Sequence, residues 1–232
     1  MEGSLPHGRA GPRALSRLAA GDAERFIRAN TTLSRPPHVP EIALHLADEA
    51  HELWQKTEEE LAEIGLPPPF WAFAWAGGQG LARYVLDRPE TVRGRRILDF
   101  ASGSGLVGIA AMLSAATAAT CADIDPFSEA AMRLNAAANG VTIEPLTRDL
   151  IGSASAWDVL LAGDIFYQRD IVDRLVPWFA ALRGEGCEIL VGDPGRAYLP
   201  REKLEQLAEY RVPVTRALED AEVKRTVVWR FL

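Results

Sequence analysis

Three groups of residues have the types and spacing to do chemistry. The first is Gly103-Ser104-Gly105-Leu106-Val107-Gly108, a G-x-G-x-x-G turn between an apolar run and a stretch suited to a helix. Its glycines permit a tight turn and close backbone approach to a ligand, and the helix N-terminus behind it favours negative charge. The second is a set of carboxylates: Asp99, four residues before Gly103; Asp123, 18 residues beyond Gly105; Asp125; and Asp149. The third is a pair of segments, Asp164-Ile165-Phe166-Tyr167 and Gly192-Asp193-Pro194-Gly195-Arg196, each following an apolar run.

A glycine turn of this spacing raises the possibility of NAD or FAD, but its surroundings favour another nucleoside. Asp99 stands where a pyrophosphate binder would carry an apolar residue, and a carboxylate there suits an amine or a cation. Asp123 lies close to the distance of about 20 residues at which an acid meets ribose hydroxyls. The plainer alternatives are a turn-capping role for Asp99 and a solvated loop for Asp123 and Asp125. S-adenosyl-L-methionine meets the combined demands, with a ribose diol, an α-amino group and a sulfonium, and no phosphate. Its expected site comprises Asp99, Ala101, Gly103 and Gly105 toward the methionine portion, Asp123 and Ile124 at the ribose, and Asp149 at the adenine amine. S-adenosyl-L-homocysteine would be the product.

The elements that must position these residues follow from hydrophobic patterning. Strands are expected at residues 97–100, 118–124, 143–146, 159–162 and 188–191, with helices at 79–86, 106–114, 128–139 and 171–182. Such alternation implies a parallel sheet covered on both faces, an α/β, Rossmann-like fold. Residues 212–218 and 223–231 read instead as a terminal antiparallel hairpin, joined by the acidic Glu219 and Asp220. Upstream, residues 22–30 look helical, Pro36, Pro37 and Pro40 form a rigid connector, and residues 41–64 read as one long helix or a helix pair. Gly65 and Pro67-Pro68-Pro69 stop it. The expected organisation is a leader over 1–21, an N-terminal helical extension over 22–69 and the catalytic domain over 70–232. Gly3, Pro6, Gly8, Gly11 and Pro12 make the leader a disordered segment rather than a targeting helix, although Arg9, Arg13 and Arg17 keep a weak organelle signal in view.

Composition excludes several classes. The chain has 232 residues, 48% of them hydrophobic and 25% charged, enough to bury a core. A net charge of −7 argues against a broad phosphate-neutralising surface, so no nucleic-acid partner is expected. No apolar segment approaches the roughly 20 residues of a membrane span. Cys121 and Cys187 sit in apolar runs and read as buried thiols; His7, His38, His45 and His51 lack zinc-ligand spacing, so no metal is expected.

The stretches PPFWAFAWAGGQGLARYVLD, ILDFASGSGLVGIAA, ADIDPFSEAAMRLNAAANG, WDVLLAGDIFY, VGDPGR and TVVWRF give the chain a resemblance to class I, seven-β-strand methyltransferases. More narrowly, it resembles the lysine methyltransferases of the electron transfer flavoprotein β subunit, over roughly residues 26–232. FWAFAWAGGQ, GDIFY and GDPGR are its most specific parts, and FASGSG stands where LGSGCG or LGTGTG is commoner. The resemblance implies a seven-stranded sheet of order 3-2-1-4-5-7-6 with strand 7 antiparallel, S-adenosylmethionine as methyl donor and a lysine side chain as acceptor. It implies as partner the flavoprotein β subunit or, alternatively, a ribosomal protein. A bacterial cytoplasm is the expected compartment, with the mitochondrial matrix as the alternative.

On that footing Asp164 lies at the carboxyl end of the fourth strand, the edge where open parallel sheets bind ligands. Methyl transfer to an amine is an in-line displacement in which positioning carries much of the rate. The amine must also be neutral, and with a pKa near 10.4 only about one lysine in 2,500 is neutral at pH 7. Asp164 would capture and aim the lysine, but a carboxylate favours the ammonium form and cannot by itself solve this problem. Phe166, Tyr167 and Trp75 would supply desolvating aromatic walls; Trp75, beside a flexible Gly77-Gly78-Gln79, would also cover the cofactor, with Trp71 in a packing role. Asp193 and Arg196 would contact substrate. A nicotinamide-dependent oxidoreductase using the same glycines is the competing class, disfavoured by Asp99 and by the lack of a Ser-Tyr-Lys or His proton relay. A non-catalytic relative is disfavoured by the intact Asp99, Asp123 and Asp164.

Overall fold

The computed structural model describes residues 20–47, 68–214 and 222–232. Seven strands form one sheet: β3 (Arg96–Phe100), β4 (Ala118–Asp123), β5 (Glu144–Thr147), β6 (Val159–Gly163), β7 (Glu188–Asp193), β8 (Leu204–Pro213) and β9 (Val223–Phe231). Their order is β5-β4-β3-β6-β7-β9-β8; the first five are parallel and β9 runs antiparallel to both neighbours. This is the order 3-2-1-4-5-7-6 that the resemblance implied.

Period-two alternation decides which residue faces which layer. Ile97 of β3, Leu161 of β6 and Leu190 of β7 join Leu81, Val85 and Ile109 of α2 (Ala76–Asp87) and α3 (Leu106–Leu113) in one core layer. Leu98, Leu160, Ile189 and Val191 turn to the other face, against Trp178 and Phe179 of α5 (Arg169–Gly184). Because both faces are covered, the central strands are apolar along nearly their whole length. A third cluster joins Ile27 of α1 (Ala20–Asn30) to Trp71 and to Phe127, Ala131 and Leu134 of α4 (Pro126–Ala138). Cys121 and Cys187 are free and buried.

The long helix expected from residue 41 is corrected at its start. Thr32–Ser34 (β1) and Leu44–Leu46 (β2) pair as a small antiparallel ribbon. The amides of Ala43 and His45 are satisfied by the side-chain oxygens of Asn139 and Asn135 on α4, at 2.8 and 2.7 Å, so this segment has no need of helical hydrogen bonds. The rest of that expected helix, the greater part of the leader, and the Glu219-Asp220 turn lie outside the described residues. The terminal hairpin is present, but β8 begins at Leu204, eight residues earlier than its apolar run suggested.

Candidate active site

The carboxyl ends of β3 and β4 build the first half of the site. Asp99 is 2% exposed, and its Oδ2 accepts from the Ser102 hydroxyl at 2.5 Å and the Gly108 amide at 2.8 Å. Burial pushes its carboxyl up to about 7 against those hydrogen bonds, and the nearby Asp123 pushes the same way. Between them runs a turn with Ala101, Gly103 and Gly105 in the left-handed region, at φ of 53°, 53° and 83°. Left-handed backbone is cheap for glycine and costs alanine roughly 1–2 kcal/mol, so Ala101 is held there by the fold. Asp123, at the end of β4, accepts from the Gly103 amide at 2.8 Å and the Asp125 amide at 3.0 Å.

This chemistry fits S-adenosylmethionine and not a dinucleotide. The Gly103 amide, which a pyrophosphate site would need, is engaged by a carboxylate, and two carboxylates back the turn where they would repel phosphate. Ile124 is 74% exposed beside Asp123, an apolar platform at the sheet edge. Asp125 caps α4 by accepting from Phe127 at 2.9 Å, and burial raises its carboxyl to about 7. Asp149 is engaged elsewhere: Arg174 of α5 pairs with it at 2.6 Å and lowers its pKa, while the Ile151 amide donates at 3.0 Å. The adjacent Arg148 amide donates to the Asp123 carbonyl, which keeps this segment beside the end of β4.

The second half lies at the ends of β6 and β7. Asp164 adopts a left-handed φ of 58°, a conformation aspartate tolerates better than most residues, and its amide donates to the Gly192 carbonyl at 2.9 Å. Its Oδ2 accepts from the Gly78 amide in the first turn of α2 at 2.9 Å; its Oδ1 accepts from Arg196 Nη2 at 2.7 Å and Nε at 3.2 Å. Glycine makes the first contact possible. A methyl on Gly77 would overlap the Gly192 carbonyl and lie 2.5 Å from Asp164 Oδ2, and one on Gly163 would lie 2.8 Å from the Gly78 backbone. The Gly77-Gly78-Gln79 segment expected to be flexible is helical, with Gly77 and Gln79 buried; its glycines serve close approach.

Two expected ligand contacts are corrected. Phe166 is fully buried in the α5-side layer and has no face to offer a ligand; it packs the core while Tyr167, its neighbour, is 45% exposed. Asp193 is 1% exposed and shapes its own loop, with Oδ1 accepting from the Gly195 and Arg196 amides at 2.6 and 2.7 Å. Its Oδ2 is buried without a hydrogen-bond partner among the described residues, and burial raises its pKa.

The aromatic cluster at this edge is formed by Phe70, Trp75 and Tyr167, with Phe70 in the place expected for Phe166. Phe70 is 43% exposed, and its ring lies 5.8 Å from Trp75 and 6.2 Å from Tyr167. Sequence reasoning missed Phe70; its signal is the alternating aromatic run after Pro69. Trp75 donates from Nε1 to the Phe70 carbonyl at 3.0 Å and holds its ring 5.6 Å from the Arg196 guanidinium. The Phe70–Trp71 backbone also lies against Gly103, so one segment spans both halves of the site. Trp71 stacks on Phe127 at 6.1 Å and packs, as expected.

Fold and turn together define a class I, S-adenosylmethionine-dependent methyltransferase, and comparison with known proteins narrows the class. A family model described as ribosomal protein L11 methyltransferase matches residues 83–192. The electron transfer flavoprotein β-subunit lysine methyltransferase of Danio rerio is 36% identical over 218 residues, covering 90% of this chain and 83% of that protein. Its Xenopus laevis counterpart is 35% identical over 224 residues, covering 93% and 89%. A crystal structure solved as a complex with S-adenosylhomocysteine shares the fold, with a TM-score of 0.51 at 12% identity, covering 82% of this chain and 53% of the other. The chain belongs to the family of electron transfer flavoprotein β-subunit lysine methyltransferases. S-adenosylmethionine is its methyl donor.

Proposed function

We propose that this protein methylates lysine of the electron transfer flavoprotein β subunit, in a bacterial cytoplasm. The observation that carries the reading is Asp164 at the β6 edge, fixed by the Gly78 amide and Arg196 beside the exposed rings of Phe70 and Tyr167. When bound, the donor supplies an electrophilic methyl group. The chain's own residues do the rest. Asp123, Ile124 and the turn from Ala101 to Gly105 hold the nucleoside and amino acid ends, Phe70, Trp75 and Tyr167 exclude water around the amine, and Asp164 orients it. The proton leaves to solvent once the amine is aligned.

A ribosomal protein is the second reading, favoured by the family-model match. That match spans residues 83–192 and so includes neither Phe70 to Gly78 nor Asp193 to Arg196. It therefore speaks for the donor half of the site more than for the acceptor half. The relatives named for the flavoprotein β subunit match about nine-tenths of the chain.

The test is incubation of cell extract with isotopically labelled donor, followed by mass spectrometry of the labelled proteins. Label on lysine of the flavoprotein β subunit is expected with the wild type and is lost with Asp164→Ala. Label on a ribosomal protein would replace the first reading by the second, and label on arginine or in nucleic acid would overturn both.

A further inference from the structure

We propose that Arg196 keeps the acceptor lysine in its neutral, nucleophilic form by cancelling the Asp164 charge that would otherwise hold it as ammonium. The inference rests on reading the β6–β7 edge as the acceptor site.

The difficulty it resolves is electrostatic. An ammonium about 4 Å from a bare carboxylate gains roughly 4 kcal/mol at the effective dielectric of a protein surface site. That raises the amine pKa by about three units, the wrong direction for a nucleophile. A lone Asp164 would bind lysine well and methylate it poorly. In the structure Asp164 is not alone: its side chain is 10% exposed, and Arg196 places two guanidinium nitrogens on Oδ1. An amine next to this neutral pair can still be aligned by the carboxylate but gains little from protonation, and the cationic donor favours the neutral amine further.

Arg196 is built to stay in place. Its backbone amide is bonded to Asp193 Oδ1, its side chain is paired with Asp164, and its guanidinium lies over Trp75. A movable plug, displaced when lysine enters, would not be fixed at backbone, charge and ring together. Among the described residues, the other groups around the amine do not take over its role. Residues 70–75 contribute aromatic and small side chains, α2 contributes the Gly78 amide, and the β6 turn contributes Tyr167. Asp193 lies buried under the loop and is raised by burial, with Arg196 and Arg201 opposing that rise, and Arg169 faces Tyr198.

The test measures single-turnover methylation at saturating donor from about pH 6.5 to 10, a window below and up to the free-lysine pKa. The acceptor is whichever protein the wild type labels on lysine. Arg196→Gln and Arg196→Met remove the charge, and Arg196→Lys keeps it; stabilisation by S-adenosylhomocysteine reports folding of each. The neutral variants should lose about tenfold in kcat near pH 7 for each unit that the amine pKa rises. Desolvation and the cationic donor bring the wild-type amine pKa below about 9, so its profile should level off inside the window. That of the neutral variants should keep rising, so the loss narrows toward pH 10, while Arg196→Lys keeps the wild-type profile. An unmoved profile with a lower KM would make Arg196 a plug, and a loss independent of pH, or loss of cofactor stabilisation in both neutral variants, would make it a scaffold residue; each overturns the proposal. A wild type that labels lysine of another protein removes the β-subunit assignment and leaves this test intact. Label on no lysine would end both.

Discussion

The β3–β4 edge and the β6–β7 edge each present carboxylates at strand ends, yet they answer the negative charge differently. At the first edge Asp99 and Asp123 accept from backbone amides and a hydroxyl, all neutral donors. At the second, Asp164 meets a guanidinium. The difference matches what the proposed function asks of each edge. The donor brings its own positive charge, so its half of the site leaves carboxylates uncompensated. The acceptor must arrive without one, so its half is neutralised in advance. Under the proposed function one sheet carries a cation site and an amine site side by side, distinguished among the described residues by Arg196.

The largest expected effects separate the two edges sterically. Gly77→Ala would drive a methyl into the Gly192 carbonyl and Asp164 Oδ2. Displacing Asp164 by even about 1 Å should cost methylation roughly a hundredfold, while S-adenosylhomocysteine still binds. Gly108→Ala does the reverse, because its methyl would overlap Cys121 Sγ and press on Asp99 Oδ2 at 3.3 Å. It should weaken cofactor binding, and a second substitution, Cys121→Ala, should restore part of it by clearing that space. If both glycine variants lost cofactor binding equally, the edges would be one mechanical unit and the comparison would fail.

A chemical substitution sharpens the same contrast. Asp123→Ala removes the acceptor of the Gly103 and Asp125 amides together with the expected ribose contact. Hydrogen bonds to a charged group are worth about 1.5–3 kcal/mol, so S-adenosylhomocysteine should bind roughly 10- to 100-fold more weakly by calorimetry. At saturating donor kcat should hold. A fall in kcat with affinity intact would show that Asp123 reaches the acceptor half.

Much of the donor half was legible because it is local. The glycine turn, Asp99, Asp123 and Ile124 lie within 26 residues, on a strand-turn-helix pattern whose geometry the residue types dictate. The acceptor half depends on contacts between distant segments. Nothing in the spacing of Gly77, Gly163 and Gly192 says that three backbones converge, or that the Gly78 amide meets Asp164 86 residues away. Sidedness beyond a strand end was also unreadable: Phe166 and Tyr167 are adjacent, and once the strand's alternation stops only tertiary packing decides which is buried. Asp193 resembled a substrate ligand because its loop follows the fifth strand on the same sheet edge, but its carboxylate closes the turn that presents Arg196. The β2 ribbon was missed because the amides stabilising it are completed by asparagines about 90 residues downstream.

The smallest predicted effect tests whether the donor edge is uncompensated in the free protein. Asp99 holds its proton up to about pH 7 when folded, against 3.8 ordinarily, chiefly because burial disfavours its charge. Asp125 is shifted likewise, to about 7, again by burial. Between these values the folded chain binds more protons than the unfolded chain, so stability falls as pH rises from about 4 to 7 and levels off above. Carboxylates shifted the other way, such as Asp149 and Asp158, contribute stability that is lost as pH falls below about 4, outside this window. His38 and His45, both lowered chiefly by burial, gain stability as pH rises through the same window and offset part of this fall. The melting midpoint of the free protein should therefore drop by on the order of 5 °C between pH 5 and 8. Asp99→Asn, whose side-chain oxygen can still accept from Ser102 and Gly108, should flatten much of that slope. Added S-adenosylhomocysteine should flatten it in the wild type as well, since its ammonium would answer the Asp99 charge. A slope untouched by both would mean that Asp99 is already compensated, and that the two edges differ less than their hydrogen bonds imply.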